Sequence, residues 1–452
     1  MPKPSATTDD VSTAEEPPSL AAMLDAGDAT AAPSASPKLS VLMDDRNWSD
    51  WRWQMRNRIR SVPQLREFFP SLKLSPGLSR AAAKFPLAVT PYYAAQIRAL
   101  DARDPVFSMA VPQIHELFDP PFLVDDPLEE DHDMPVPGLV HRYPDRALLI
   151  ATTTCAMYCR HCTRKRAAGH RESCITDARL KQVVAYLASH PEISDVIVSG
   201  GDPFTMATEV LDRILTALRS VPSVDIIRIG TRTIVTLPMR ITGELVAMLK
   251  KHQPVYVNTH FNHPNEITPE SAEACRRLVD AGVPMGNQSV LLRGVNDDPR
   301  LIETLCRRLV KMRVRPYYLF QCDLVRGVEH FRTPLARGIQ IMEYLRGRLS
   351  GLAIPSFVVD APHGGGKIPV LPAYVIMQSP THTVLRNFEG MLVSYPEPSS
   401  GGRNEAPHVA GAPTVFDLTH GAATKIQPAD TARQKRRAAR AACEAPPAGM
   451  EE

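Results

Sequence analysis

The chain has 452 residues, of which 44 % are apolar, enough for a large hydrophobic core. Its 52 basic and 49 acidic side chains leave a formal charge of +3, so the charge balance gives no general reason to expect nucleic acid or an anionic membrane as a partner. No stretch approaches the run of about eighteen apolar residues that a membrane span needs, and the N-terminus lacks the basic start and apolar segment of a signal peptide. We therefore expect a globular, cytoplasmic protein.

Both ends of the chain are predicted to be disordered. Residues 1–40 are rich in Ala, Ser, Pro and Asp, and residues 397–452 are rich in Gly, Pro and Ala, without sustained periodicity. The basic run QKRRAARAAC at 434–443 is compatible with a short helix that touches nucleic acid, but a solvated tail is the simpler interpretation.

A helical N-terminal subdomain is predicted over 41–140. The sequence WSDWRWQMRNRIRSV places Trp51, Met55 and Ile59 at steps of four, and YYAAQIRALDA continues the pattern. The three tryptophans of the chain all lie in this segment, and we interpret them as packing anchors.

Strands and helices alternate in the segment 141–396. The predicted strands are the short apolar runs at 147–154, 195–200, 225–231, 255–260, 285–292, 317–322 and 357–362. Amphipathic helices are predicted between them at 175–190, 208–220, 241–252, 269–282, 298–312 and 336–348. This alternation indicates a parallel sheet with right-handed crossovers, so we predict an α/β fold that forms a partial (β/α)6-type barrel. In such barrels the chemistry gathers at the C-terminal ends of the strands.

Three of the eight cysteines follow the first predicted strand, in the sequence TTTCAMYCRHCTRKR. The C-x3-C-x2-C spacing of Cys155, Cys159 and Cys162 brings three thiolates close enough together to bind one metal ion or one metal cluster. A structural zinc site needs a fourth ligand nearby, and the only close candidate, His161, lies inside the triplet. Three ligands leave one iron of a 4Fe–4S cluster open to the amino and carboxylate groups of S-adenosylmethionine (SAM). With Tyr158 before the second cysteine, the motif is typical of radical SAM enzymes.

The sequence SGGDP follows the second predicted strand and contains Ser199, Gly200, Gly201 and Asp202. Glycines let a backbone approach a ligand and present N–H groups to a carboxylate. On its own the sequence fits an ordinary turn equally well. Beside the cysteine loop, we expect it to hold the methionine part of SAM.

The sequence DAPHGGGKIPVLP follows the last predicted strand, and its glycines precede Lys367. On its own this sequence fits a glycine-rich turn with an exposed lysine. The functional interpretation is a lysine that forms an imine with pyridoxal phosphate (PLP), which requires a partly desolvated, deprotonated amine.

From about 48 to 398 the chain resembles the lysine 2,3-aminomutase family. The blocks that carry the resemblance are HRYPDR, CAMYCRHCTRKR, SGGDP, RIGTRT, NTHFNHPNE, GNQSVLLRGVND, YYLFQCDL, EHFRTP and DAP-GGGK. The resemblance implies a radical SAM barrel and an isomerase that contains a 4Fe–4S cluster, SAM and PLP. It also implies an amino acid substrate, an electron donor such as flavodoxin or ferredoxin, and a homo-oligomer. The implied reaction starts with a 5′-deoxyadenosyl radical made from SAM and moves the α-amino group to the β-carbon.

The resemblance also assigns cofactor sites residue by residue. It makes Lys367 the lysine that holds PLP in the resting enzyme. The implied cluster ligands are Cys155, Cys159 and Cys162. Other positions fall where the family contacts PLP, namely Arg142, Tyr143 and Arg146. Positions near SAM are Ser199, His260 and Gln288, together with the SGGDP residues above.

The implied substrate site consists of Arg164 for the α-carboxylate and of Asp323 with Asp360 for a distal amine. Two carboxylates at the end of a pocket need a cation opposite them, which favours L-lysine as the substrate and L-β-lysine as the product. A guanidinium also bridges two carboxylates, so L-arginine remains an alternative. A non-enzymatic iron–sulfur electron carrier or a nucleic-acid binder is the alternative of another class, but neither needs paired aspartates.

Two departures from the family pattern stand out. His363 replaces a further glycine in the loop before Lys367, and a changed loop beside PLP is compatible with the longer side chain of L-arginine. The tail lacks clustered cysteines, since Cys443 stands alone and Asp298 lies where another zinc ligand would be needed. We therefore predict no structural zinc.

Overall fold

The computed structural model describes residues 37–73, 76–378, 382–397, 422, 424 and 435–440. The remainder of the two segments predicted to be disordered lies outside the described residues, as does Cys443. In the described part of the chain, every helix is too short or too polar to cross a membrane.

The N-terminal region is helical, as predicted, but its helices are short. They are α1 (Pro37–Met43), α2 (Trp51–Arg56), α3 (Val62–Phe68), α4 (Pro76–Lys84), α5 (Pro91–Ala94) and α6 (Pro105–Ala110), followed by a 3-10 turn (Ile114–Leu117). The steps of four from Trp51 to Ile59 wrongly suggest one helix, because Ile59 pairs with Val89 in an antiparallel bridge. Side chains cap the starts of several of these helices, among them Asp50, Ser61, Thr90 and Asp104.

A nine-stranded sheet follows, with its strands side by side in chain order. Its parallel strands are β2 (Arg146–Thr152), β3 (Asp195–Gly200), β4 (Ile226–Gly230), β5 (Val255–Thr259), β6 (Met285–Leu291), β7 (Arg315–Gln321) and β8 (Ser356–Ala361). Antiparallel strands border this set, β1 (Leu139–Tyr143) beside β2 and β9 (Gly366–Pro369) beside β8. The predicted six crossovers and closing strand of an α/β barrel are therefore confirmed, whereas β1 and β9 were not predicted.

Helices connect the parallel strands. They are α7 (Asp177–Ala188), α8 (Thr208–Arg219), α9 (Thr233–Thr236), α10 (Gly243–Lys251), α11 (Pro269–Asp280), α12 (Pro299–Lys311) and α13 (Leu335–Leu345). Short 3-10 turns occupy Pro203–Thr205, Pro238–Arg240, Pro264–Glu266, Glu329–Phe331 and Gly351–Ala353. Asp298 caps the start of α12 by accepting the backbone N–H of Arg300. Its side chain thus has a structural role at the position where a zinc ligand was considered.

The alternation of side chains along each strand separates the core from the barrel interior. In β3, Val196 and Val198 are fully buried in the same hydrophobic cluster as Leu211 of α8. The intervening residues Ile197 and Ser199 point to the opposite face and line a cavity. The same period that builds the core therefore places polar side chains inside the barrel.

Two elements near the C-terminus were not predicted. A separate antiparallel sheet contains β10 (Val375–Gln378), β11 (His382–Arg386) and β12 (Leu392–Pro396). Residues 435–440 form a helix, α14, inside the segment predicted to be disordered. Arg437 of this helix contacts Asp133 and Glu129, two acidic residues in the segment before β1.

Candidate active site

All the residues predicted for the site line one cavity of about 570 Å³. They are Arg142, Tyr143, Arg146, Cys155, Cys159, Cys162, Arg164, Ser199, Gly200, Gly201, Asp202, His260, Gln288, Asp323, Asp360 and Lys367. Most of them lie at the C-terminal ends of the parallel strands or just beyond, where barrel chemistry is expected. The cavity therefore brings together side chains that are more than two hundred residues apart in the sequence.

The cysteine loop after β2 is held by the N-terminal region. The Arg58 guanidinium donates a hydrogen bond of 2.6 Å to the Cys155 carbonyl oxygen. The backbone N–H of Tyr158 donates to the Ala88 carbonyl oxygen at 3.0 Å. These contacts satisfy backbone groups of a loop that has no regular structure of its own. The helical region thus fixes the conformation of the loop.

Charge around the three thiols is unevenly distributed. Burial raises the pKa of Cys155 well above its usual value and raises that of Cys162 to about 11. Arg232 donates to the Cys159 sulfur at 2.7 Å, and the same guanidinium pairs with the buried Glu266 at 2.6 Å.

Among the described residues, no three His, Cys, Asp or Glu side chains could share a single metal ion. Thiolates around a 4Fe–4S cluster bind different irons and do not need such close spacing.

The two glycines of SGGDP leave room for a neighbouring segment of the same chain. Gly200 has φ +121°, and a Cβ atom there would lie 2.3 Å from the Thr152 carbonyl oxygen. A Cβ atom on Gly201 would lie 2.4 Å from the Thr154 carbonyl oxygen. The close approach between the end of β3 and the chain at the end of β2 is therefore a structural reason for these glycines in addition to the predicted approach to a ligand.

Other polar residues predicted near SAM are fixed by hydrogen bonds. The Asp202 carboxylate accepts the Thr231 hydroxyl at 2.6 Å, so it already has partners within the protein. Burial lowers the pKa of His260 to about 4, so this imidazole is neutral at pH 7. Its Nδ1 lies 3.0 Å from the Gln288 carbonyl oxygen, which requires a proton on Nδ1. Nε2 of His260 is then a hydrogen-bond acceptor.

Lys367 and Asp360 lie opposite each other in the β8–β9 pair. The Lys367 Nζ is 2.8 Å and 3.0 Å from the two carboxylate oxygens of Asp360. The Lys367 backbone N–H donates to the Tyr143 hydroxyl at 2.8 Å, and the Arg146 guanidinium lies 4.1 Å from the centre of the Tyr143 ring. The predicted PLP lysine therefore contacts Tyr143 directly, and Tyr143 in turn packs against Arg146.

Asp323 is the second predicted substrate carboxylate. Burial, followed by the neighbouring charge of Asp360, raises its pKa to about 7. The Thr163 hydroxyl donates to Asp323, and the nearby Lys367 charge acts in the opposite direction by favouring the ionised form. A cation beside both carboxylates would stabilise their charged forms.

Two carboxylates that orient site arginines were missed in the sequence. The Arg164 Nη2 is 2.7 Å from Glu130, while its Nη1 lies 3.4 Å from the Ser199 hydroxyl. Burial raises the pKa of Glu130, but the charge and hydrogen bonds of Arg164, together with the charges of Arg166 and Arg142, outweigh burial and lower the pKa to about 2. Asp133 likewise accepts the Arg142 Nε at 3.0 Å. The acidic run before β1 was the available signal, because arginines in a buried site need counter-charges.

Comparison with known proteins gives two family matches. Residues 149–305 match the family model described as the radical SAM superfamily, and residues 342–445 match the one described as lysine-2,3-aminomutase. L-lysine 2,3-aminomutase of Clostridium subterminale is 53 % identical over 357 residues, covering 79 % of this chain and 86 % of the relative. L-lysine 2,3-aminomutase of Fusobacterium nucleatum subsp. nucleatum is 48 % identical over 410 residues, covering 88 % and 96 %. Glutamate 2,3-aminomutase of Clostridioides difficile is 44 % identical over 357 residues, covering 78 % and 84 %.

Proposed function

Because the chain belongs to the lysine 2,3-aminomutase family of radical SAM enzymes, we propose that it moves the α-amino group of L-lysine to the β-carbon and forms L-β-lysine. The observation that carries the choice of substrate is the pair Asp323 and Asp360 in the same cavity as Arg164. Two carboxylates suit a distal ammonium group, whereas the side chain of glutamate would be repelled by them. The higher identity to the two lysine enzymes than to the glutamate enzyme supports the same choice.

The residues around the cavity suit the cofactors that family membership implies, a 4Fe–4S cluster, SAM and PLP. Cys155, Cys159 and Cys162 offer three sulfur ligands on one loop, with the positive charge of Arg232 beside them. Lys367 offers one amine to the cavity. When bound, the cluster and SAM supply the radical that starts the reaction, and PLP supplies the carbonyl group that carries the migrating nitrogen.

Different side chains are assigned to the two ends of the substrate. We assign Arg164 to the substrate carboxylate, because Glu130 occupies its Nε and Nη2, while Nη1, which lies 3.4 Å from the Ser199 hydroxyl, has a second N–H to donate. Asp323 and Asp360 would hold the distal ammonium. Asp360 also keeps the Lys367 amine against β8 when that amine is not attached to PLP. Fixed contacts at both ends of the substrate would hold its α- and β-carbons in one orientation.

The remaining contacts are assigned to the cofactors. Arg142 and Arg146 supply guanidinium groups for a phosphate, and Tyr143 supplies a ring that can lie against a pyridine. Ser199, together with Gly200, Gly201, Asp202, His260 and Gln288, is assigned to SAM. We also propose an electron donor such as flavodoxin or ferredoxin to reduce the cluster.

Assembly and location complete the proposal. We propose a homo-oligomer, because several large apolar side chains of the β10–β12 sheet are at least 44 % exposed, namely Val375, Met377, Leu392, Val393 and Tyr395. We also propose a cytoplasmic location, where thiols stay reduced. All the described cysteines are free thiols, which agrees with that location.

The test is a competition between amino acids. The chain, reconstituted with its cofactors without oxygen, is given equal concentrations of L-lysine, L-arginine and L-glutamate, and the β-amino acid products are identified by mass spectrometry. We expect β-lysine to dominate. Preferential conversion of arginine or glutamate would overturn the substrate assignment but keep the reaction class. No β-amino acid from any substrate would overturn both.

A further inference from the structure

The basic run near the C-terminus contacts the barrel through three arginines of α14. Arg437 makes two ion pairs, with its Nη1 2.9 Å from Glu129 and its Nε 2.8 Å from Asp133. Arg436 donates to the His141 carbonyl oxygen at 3.3 Å. Arg440 donates to the backbone carbonyl oxygens of Asp131 and Met134. The contacted residues lie in the acidic run 129–133, just after it at Met134, and in β1 itself.

Both carboxylates bound by Arg437 also contact the lining of the cavity or the loop before Lys367. The second oxygen of Asp133 accepts the Arg142 Nε at 3.0 Å. Glu129 lies 3.3 Å from the His363 Nδ1, and His363 is four residues before Lys367. Arg437 is thus one contact away from a residue assigned to PLP and from the loop that carries the PLP lysine.

The contacts around Arg437 stabilise a buried charge and two residues with an unfavourable backbone conformation. The Asp133 side chain is only 1 % exposed, so its charge depends on the guanidinium groups around it. Glu129 and His363 have φ values of +51° and +58°, in the left-handed region that side chains other than glycine rarely adopt. A contact network that fixes both residues offsets the cost of this conformation.

We propose that Arg437 is a positioning residue for the PLP site. By pairing with Asp133 and Glu129 at once, it fixes the Arg142 guanidinium on one side and the His363 loop on the other. This inference rests on the proposed function, because it assigns Arg142 and Lys367 to PLP. It gives the basic tail a role inside the enzyme in place of nucleic-acid binding.

The experiment measures PLP affinity apart from catalysis. PLP is titrated into the full chain with its cluster in place, and covalent attachment to Lys367 is followed by absorbance and by borohydride reduction with peptide mapping. Iron content and the thermal midpoint are recorded in parallel. Arg437→Ala should raise the apparent Kd for PLP about tenfold, the effect of losing two partly buried ion pairs, while iron content stays at the wild-type value.

Other variants separate positioning from general stability. Arg437→Lys, which keeps the charge, should recover part of the affinity. Glu129→Gln, which removes one of the two pairs, should weaken PLP binding less than Arg437→Ala does. Arg313→Ala, which breaks the exposed ion pair with Asp280, is the matched control and should leave PLP affinity unchanged.

Three outcomes would overturn the inference. One is wild-type PLP affinity in Arg437→Ala. Another is a parallel loss of PLP, iron and thermal stability in Arg437→Ala and Glu129→Gln, which would indicate a merely structural role. If the wild-type chain itself attached no PLP at Lys367, the proposed function would fail and this inference with it.

Discussion

Asp323 couples substrate binding to pH. Burial and the charge of Asp360 raise its pKa to about 7, compared with about 3.9 for an aspartate in an unfolded chain. The carboxyl therefore becomes charged as pH rises through about 7, while the ammonium group of lysine stays charged. We expect the KM for lysine to fall between about pH 6 and about pH 8, and Asp323→Asn to lose this dependence and raise KM at least about tenfold. A pH-dependent KM that persists in the variant would contradict this assignment.

The raised pKa of Asp323 also predicts how the stability of the protein changes with pH. Because the folded pKa of Asp323 lies above the unfolded value, this carboxyl contributes stability that is fully present below about pH 3.9 and is lost as pH rises through about 7. Asp323→Asn removes that titration. The thermal midpoint of the variant relative to wild type should therefore rise between about pH 5 and about pH 8.

Glu130 determines which edge of Arg164 faces the cavity. It pairs with Nε and Nη2 of that guanidinium, and its own side chain is only 4 % exposed. Glu130→Gln removes one charge of a buried pair, so we expect a lower thermal midpoint and a KM for lysine raised about tenfold, with a smaller change in kcat. Asp131→Asn is the control, since the Asp131 side chain is 68 % exposed, and it should change neither value. An unchanged KM in Glu130→Gln would show that Arg164 is oriented by other contacts.

The cysteine loop is the element on which the radical chemistry depends. Its three thiols line the cavity, whereas Cys275 is buried in the hydrophobic core on α11. Cys159→Ala should lose nearly all bound iron and all SAM cleavage, because a 4Fe–4S cluster cannot be held by two of its three thiolates and keep an open iron for SAM. Cys275→Ala should retain both. Iron analysis and quantification of 5′-deoxyadenosine test this, and wild-type iron content in the Cys159 variant would contradict it.

A substitution at the end of β3 tests whether close packing between the barrel strands sets the geometry of the site. A side chain at Gly200 would meet the Thr152 carbonyl oxygen and would also have to adopt φ +121°. We expect Gly200→Ala to lower the free energy of unfolding by about 2–4 kcal/mol. Gly243→Ala is the matched control, because it lies in α10 with open space around it and should change stability by no more than about 1 kcal/mol. Equal urea midpoints for the two variants would refute the steric argument.

Elements with strong periodicity were predicted well, and elements held by distant contacts were not. The predicted strand at 195–200 agrees with β3 to the residue, because a short run of β-branched apolar residues lies there between two turn signals. The helical pattern through Ile59 failed, because its backbone pairs with Val89 thirty residues later. The hairpin strands β1 and β9 pair with their chain neighbours β2 and β8 and were missed for a different reason, since LVHRY and GKIP are too short and contain too few apolar residues to show strand periodicity.

For the whole molecule, the sequence predicted which residues line the cavity but not how they are supported. Motifs predicted the cysteines and Lys367 as site residues, because each carries recognisable chemistry near a strand end, and the family resemblance predicted the paired aspartates. The carboxylates of the 129–133 segment carry no motif of their own, and their roles appear only when arginines from other elements surround them. The contact of α14 was likewise missed, since a basic, alanine-rich run looks the same whether it is solvated or docked.

The central claim, that one molecule's amino group moves from Cα to Cβ, is tested most directly by isotope tracing. L-lysine labelled with nitrogen-15 at the α-amino group and carbon-13 at C3 is converted by the reconstituted enzyme, and the product is examined by carbon-13 NMR. We predict that the product is β-lysine in which nitrogen-15 is bonded to the labelled C3, seen as a one-bond coupling. Release of the label as free ammonium, or nitrogen-15 that remains on C2 in all recovered material, would contradict the account.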